Sequence, residues 1–237
     1  MTAEIEAPRR FYREVAVGPA EDGFAVLLDG RAPKSPAGAP LVLPTRAIAS
    51  LVAEEWDAQQ TSIVPSTMPA TRLAFTAIDR TPHVRQGLAA ELANYAGSDL
   101  VCYLAESPST LVERQTKLWR PLLDWARDDL GVELEQTRGI AHLDQDAAAL
   151  ARVEALAADL DDFTLTGVAH AAGLLGSAVL ALALQRGRLN GEEAFVLSRV
   201  DEAFQEERWG VDAEAAERAG ALGDQARLLE RWFKALA

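Results

Sequence analysis

The sequence predicts an α+β protein: a small N-terminal domain with antiparallel strands and a helix (residues 1–66), followed by a larger, all-helical orthogonal bundle (67–237). Three observations carry this. Between residues 9 and 44, short apolar stretches are broken by turn formers, the pattern of strands. One amphipathic segment then shows helical spacing, and from Ala70 onward almost every stretch repeats apolar residues three and four apart.

Taken in order, FYREVAVG, GFAVLLDGR and APLVLP read as extended segments. Asp29-Gly30 is a hairpin signal between two of them, because both residues tolerate positive φ. Pro33, Pro36, Gly38 and Pro40 make the next stretch loop-like. Thr45 offers an N-cap after Pro44, and Ile48, Val52, Glu55, Trp56 and Gln59 recur at helical spacing, so Thr45 to Gln60 should close the sheet as one helix. Pro65 and Pro69 in IVPSTMP mark the domain boundary. Helices are then expected at about 70–80, 83–96, 109–130, 145–159, 164–186, 191–208 and 213–236, with 132–140 extended. Gly131, Gly187 and Gly210 suit C-terminal caps; Ser109 or Thr110, Thr164 and Asp212 suit N-caps. Pro121 should kink or divide its helix unless a new one starts after Trp119.

Composition narrows the function. A chain of 237 residues, 49% hydrophobic, buries a sizeable core. Its 36 acidic and 23 basic residues leave a net charge of −13, which argues against nucleic acid or anionic membrane as the main partner and for a basic protein partner. The start, MTAEIEAPRRFYREV, lacks the apolar run of about 7 to 15 residues that a secretory signal needs, so a cytoplasmic protein is expected. A lone cysteine, Cys102, agrees with a reducing compartment. Val168 to Leu184 is shorter than the roughly 20 residues that span a bilayer and reads as a buried central helix, with His170 a satisfied core residue and Ala172, Gly173, Gly176 and Ser177 allowing close helix approach.

No phosphate-binding or dinucleotide glycine motif is present, and His83, His142 and His170 lack metal-ligand spacing, so neither cofactor nor metal is expected. Cys102 in DLVCY reads as an unactivated buried thiol. The carboxylate pairs Glu54-Glu55, Asp128-Asp129, Asp161-Asp162, Asp201-Glu202 and Glu206-Glu207 diverge by about 100° on a helix and do not converge on one substrate. Of the five tryptophans most should be core, Trp56 among them.

One segment stands apart: Ser198 to Gly210, SRVDEAFQEERWG. On a helix Leu197, Val200 and Phe204 share a core-facing side, while Glu202, Glu206 and Trp209 fall opposite, with Arg199 three residues before Glu202. Read alone, this is a solvated face. Arg199 and Glu202 make an ordinary intrahelical pair contributing about 0.2 to 0.5 kcal/mol, and Trp209 folds back over the helix end.

The order and spacing of several motifs change that reading. RFYREV at Arg9, FAVLLDGRAPKSP at Phe24, VAEEWDAQQ at Val52, MPATRLAFTAID at Met68, DLVCYLAESP at Asp99, RQTKLWRPLLDWA, LGSAVLALAL and SRVDEAFQEERWG run through nearly the whole chain. Together they resemble the assembly chaperone family that handles the α subunit of the catalytic head of F-type ATP synthase, in mitochondria and α-proteobacteria. The resemblance implies a two-part molecule without catalytic turnover. It implies binding of the unassembled α subunit, shielding its interface until the β subunit replaces the chaperone. The functional acid of the family's DEAFQ-like motif falls on Glu202, with Asp201 or Glu206 able to share the role, and Arg199 and Trp209 beside it. A monomeric, cytoplasmic, bacterial member is the expectation. The rivals are a hydrolytic enzyme with acidic residues in an interdomain cleft and a structural helical adaptor.

Overall fold

The structure, a computed structural model, describes residues 8–237; residues 1–7, which the sequence places in the first domain without a signal-like run, lie outside the described residues. The chain divides into two compact units. One comprises Met1–His83 with Arg231–Ala237, the other Val84–Glu230.

In the first unit β1 (Val15–Ala20) and β2 (Gly23–Leu28) pair antiparallel around a turn at Glu21-Asp22, and β2 pairs in turn with β3 (Val42–Leu43). Asp29 and Gly30 both take positive φ, 47° and 80°, and reverse the chain so that Leu28 and Arg31 exchange backbone hydrogen bonds of 2.8 and 3.0 Å. The expected reversal forms, but only a single bridge follows it. Asp29 adds a second function: its carboxylate accepts from the backbone N–H groups of Arg13 and Glu14, which holds its pKa below the ordinary value.

Val26, Leu28, Leu41 and Leu43 bury against Ile48, Val52 and Trp56 of α1 (Arg46–Asp57), whose first turn Thr45 caps by accepting from the Ile48 N–H at 3.1 Å. Side chains then staple this layer at long range. The Tyr12 hydroxyl donates to the Trp56 carbonyl at 2.6 Å, and Arg10 donates to the carbonyls of Tyr12, Asp57 and Gln59. Helix α2 (Pro69–Asp79) has no local side-chain cap. Instead Glu55, on α1, accepts from the N–H groups of Ala70 and Thr71, both at 2.7 Å, and from the Thr71 hydroxyl at 2.8 Å. Gln59, one turn on, accepts from the Val64 N–H and donates to Thr67 in the intervening loop. At the far end of α2, Asp79 accepts from the Ser35 hydroxyl and the Ala37 N–H. These bonds bind α2 into the first unit, so the 66/67 boundary expected from the prolines falls inside it.

The second unit contains α4 (Ser109–Trp125), α5 (Ala147–Ala158), α6 (Asp162–Leu175), α7 (Ala178–Gln185), α8 (Gly191–Ser198) and α9 (Val200–Trp209); α3 (Thr81–Gly97) precedes α4, and α10 (Ala213–Leu236) ends the chain. Of the stretch expected to be extended, only β5 (Thr137–Arg138) forms a strand, parallel to β4 (Tyr103–Leu104). Pro121 does not divide α4: it is exposed, and the carbonyl that its missing N–H leaves open lies one turn back, at the exposed residue Lys117. A π turn, Ala126–Leu130, prolongs the helix to Gly131, which caps it at φ 69°.

Four expectations are corrected here. The run 164–186 is two helices, because Gly176 takes φ 66° and Ser177 starts a new N-terminus by accepting from the Leu180 N–H at 3.0 Å. The N-cap of α6 is Asp161, with the Thr164 hydroxyl bonded to it, and α4 begins after Pro108 without a side-chain cap. His170 is exposed on α6 and is not a core residue.

Helix α7 is buried at every position from Ala178 to Leu184. Its N-terminus therefore has no access to water, and its N–H groups need internal acceptors. Asp99, fully buried, supplies one: it accepts from Val179 at 3.0 Å and from Val101 at 3.2 Å, and is also bonded by Ser177 and the Ala178 N–H. Burial outweighs these bonds and pushes the Asp99 carboxyl up to about 6. The neighbouring Cys102 thiol is pushed well above its ordinary value by burial and then by the Asp99 charge, in keeping with an inert thiol.

Two outcomes follow from these staples. Glu55→Ala leaves two N–H groups of α2 without their acceptor and should lower the unfolding free energy by about 1–3 kcal/mol in urea titration, with Glu55→Gln losing less. For Asp99 the folded pKa lies above the unfolded one, so its contribution is fully present below about pH 4 and lost as pH rises through about 6. Measured by urea titration at each pH, wild type should lose stability relative to Asp99→Asn by about 3 kcal/mol between pH 4 and 7.

Candidate partner-binding surface

The segment singled out in the sequence begins at a break. Arg199 ends α8 and precedes α9 with φ −124° and ψ 29°, outside helical values, so 191–208 is two helices instead of one. Val200 and Phe204 are buried as expected, and Leu197 is half-buried.

Three residues of α4 hold α8 and α9. Gln115 is 0% exposed; its carbonyl accepts from the Ala105 N–H at 2.7 Å and its amide donates to Asp201 at 2.5 Å. Trp119, one turn on, donates its indole N–H to the Leu197 carbonyl at 3.0 Å. Arg114 forks onto Glu207 with contacts of 2.7 and 2.8 Å. That pair raises the Arg114 pKa and lowers that of Glu207, but both ends are largely solvent-facing. The Phe204 ring sits between two guanidiniums, Arg114 at 5.3 Å and Arg208 at 4.3 Å.

The acids of the segment consequently divide into two kinds. Asp201 serves a buried amide and is half-buried. Glu206 is paired with Arg199 at 2.8 Å, so Arg199 reaches seven residues forward across the break and does not pair with Glu202. Its guanidinium also lies 5.6 Å from the Phe195 ring. Glu202 is exposed and makes no ion pair or hydrogen bond among the described residues. Trp209 is 77% exposed; it does not fold back over the helix end, which Gly210 closes at φ 86°. Glu202 and Trp209 lie two turns apart on one face, about 10 Å along the axis.

Gln115 and Arg114 have no site role in the sequence reading, and Glu207 enters it only in the Glu206-Glu207 pair. Their signal was present in Leu111, Gln115 and Trp119, which follow one stripe at intervals of four with a polar residue in the middle.

Charge is segregated. The first unit carries 10 basic and 10 acidic residues, the second 13 and 26, so the whole net charge of −13 belongs to the helical unit. Among the described residues no group of three or more His, Cys, Asp or Glu could hold a metal ion. Nor is any helix long and apolar enough to cross a membrane. In a 270 Å³ groove beside the end of α4, Asp124 is ion-paired with Arg120 and Arg127 at 3.1 and 3.0 Å.

The chain combines a small sheet unit with a strongly acidic helical unit, and on α9 an exposed acid without a partner among the described residues shares a face with an exposed tryptophan. Comparison with known proteins fixes the family. The profile described as ATP12 chaperone protein matches residues 9–127. Paracoccus denitrificans Atp12 is 42% identical, its structure superposing with a TM-score of 0.91 over 97% of this chain and 99% of that one. An aspartate-to-lysine mutant of it gives 41% identity, 97% and 98% coverage and the same TM-score, 0.91. The mitochondrial protein atp12 of Schizosaccharomyces pombe is 28% identical over 229 residues, 88% of this chain and 76% of that protein. The chain belongs to the ATP12 chaperone family, assembly chaperones of ATP synthase, and its fold is the α+β arrangement expected from sequence.

The two kinds of acid should separate in stability measurements. Asp201→Ala strands the buried Gln115 amide and should lower the unfolding free energy by about 1–3 kcal/mol. Glu202→Ala should leave the thermal midpoint unchanged.

Proposed function

We propose that this protein captures the unassembled α subunit of the catalytic head of F-type ATP synthase and shields its interface until the β subunit replaces it. It does so in the bacterial cytoplasm, as a monomer and without catalytic turnover. An unassembled subunit exposes more apolar surface than a lone protein tolerates. A chaperone must cover that surface and later give way.

One observation carries this reading. Glu202 is the acid of the DEAFQ motif that makes no bond or ion pair among the described residues, and it shares a face with exposed Trp209 on the unit that bears all the net charge. Glu202 pairs a Lys or Arg of the client, Trp209 supplies an aromatic anchor, and the surrounding field steers the encounter. Asp201, Glu206 and Arg199 position this face by holding α9 on its neighbours. The family membership supports a binding role.

In a strain lacking the β subunit, pull-down of wild type should accumulate free α subunit. Glu202→Lys should capture about tenfold less or worse, equivalent to about 1.4 kcal/mol or more, with its fold intact by circular dichroism. Undiminished capture and undiminished head assembly by that variant would show that Glu202 has no such role.

A further inference from the structure

Between Gln205 and Leu222 no residue is buried. The stretch is nevertheless helical on both sides of Gly210, comprising the end of α9 and the first ten residues of α10. Ten residues of helix are marginal alone in water. Local support is slight: Asp212 accepts from the Ala215 N–H at 3.1 Å, and Glu214 pairs with Arg218 on the surface at 2.5 Å. The packed part of α10 begins only at Gly223, followed by Ala226 and Leu229.

Large apolar side chains are nonetheless exposed along this stretch. Trp209 is 77% exposed, Val211 58% and Leu222 37%. Acids flank them, and Glu202 and Glu217 have no ion pair among the described residues. Exposed apolar side chains and unpaired carboxylates in one stretch, on the unit that holds the entire net negative charge, are complementary to a segment with an apolar face edged by Lys or Arg.

We propose that residues 205–222 form a docking arm that receives a basic amphipathic segment of the client, extending the Glu202 face onto α10. The inference rests on the chaperone reading above. The client segment lies across the corner, covers Trp209, Val211 and Leu222, and its cations meet Glu202 and Glu217.

The test is amide hydrogen exchange of the full chain, alone and with purified unassembled α subunit, together with capture by two variants. The arm should exchange at least about tenfold more slowly in the complex. A Trp209→Ser/Val211→Ser double variant removes only exposed side chains, so its thermal midpoint should hold while capture falls about tenfold. Gly220→Gln enters open space in the free chain and should behave likewise. Capture without protection of 205–222, or with both variants unimpaired, overturns the arm. If Glu202→Lys loses capture while both arm variants capture like wild type, the chaperone reading stands and the arm falls; if wild type captures no α subunit, both fall. Protection that grows with the protein's own concentration assigns the corner to a second copy and overturns the proposal.

Discussion

Burial of α7 on every side is the constraint from which the helical unit follows. A helix with no polar face has to be surrounded, and its ends cannot borrow hydrogen bonds from water. The N-terminal end is met by Ser177 and by Asp99, whose backbone partners also fix the short turn after α3. Helices α4, α6 and α8 pack on α7, and α4 in turn carries Arg114, Gln115 and Trp119 to α8 and α9. The surface that bears Glu202 is thus two packing steps from a buried carboxylate. A helix held this way presents its free acid in a fixed orientation, which lowers the conformational cost of binding.

The first unit rests on a different device. Its sheet is small, and much of its definition comes from side chains that bond to backbone far away in sequence. Glu55 caps a helix it does not belong to, Asp79 closes the 33–40 loop, and Arg10 and Tyr12 tie the entering chain to the end of α1. RFYREV, VAEEWDAQQ, KSP and MPATRLAFTAID are therefore explained by the fold itself. They identified the family because the fold demands those residues, with no partner needed to account for them.

What could be read from the chain depended on whether the signal was local. Asp29-Gly30, the Thr45 cap and the glycine caps at 131, 187 and 210 are local, and each appears where its chemistry puts it. The split at Gly176 was hidden because Val168 to Leu184 is apolar throughout, so the change of helix axis leaves no mark in its periodicity; a glycine followed by a serine was the remaining clue. The apolar neighbours of His170 in sequence suggest a core position, but α6 keeps an outward side and His170 lies on it. The pairing of Arg199 was misread for a related cause: proximity along an unbroken helix selects Glu202, whereas the break at Arg199 brings Glu206 within reach. Asp201 looked equivalent to Glu202, and only the buried Gln115 on another helix distinguishes them.

That distinction bears on how an acidic chaperone keeps both stability and a usable charge. A carboxylate bound to a buried amide or to an arginine fork is committed to the fold, and a partner that took it would have to break the existing bonds first. Asp201, Glu206 and Glu207 are all committed in this way. Glu202 is left free by geometry, since α9 turns Val200 and Phe204 inward and its next position outward. An uncommitted acid beside an exposed aromatic favours an interaction that forms quickly in the field of the unit yet depends on few anchors. Such an interface yields when a competitor offers a larger, better-packed surface, which is the physical requirement on a protein that must hold a subunit and then release it into an assembly.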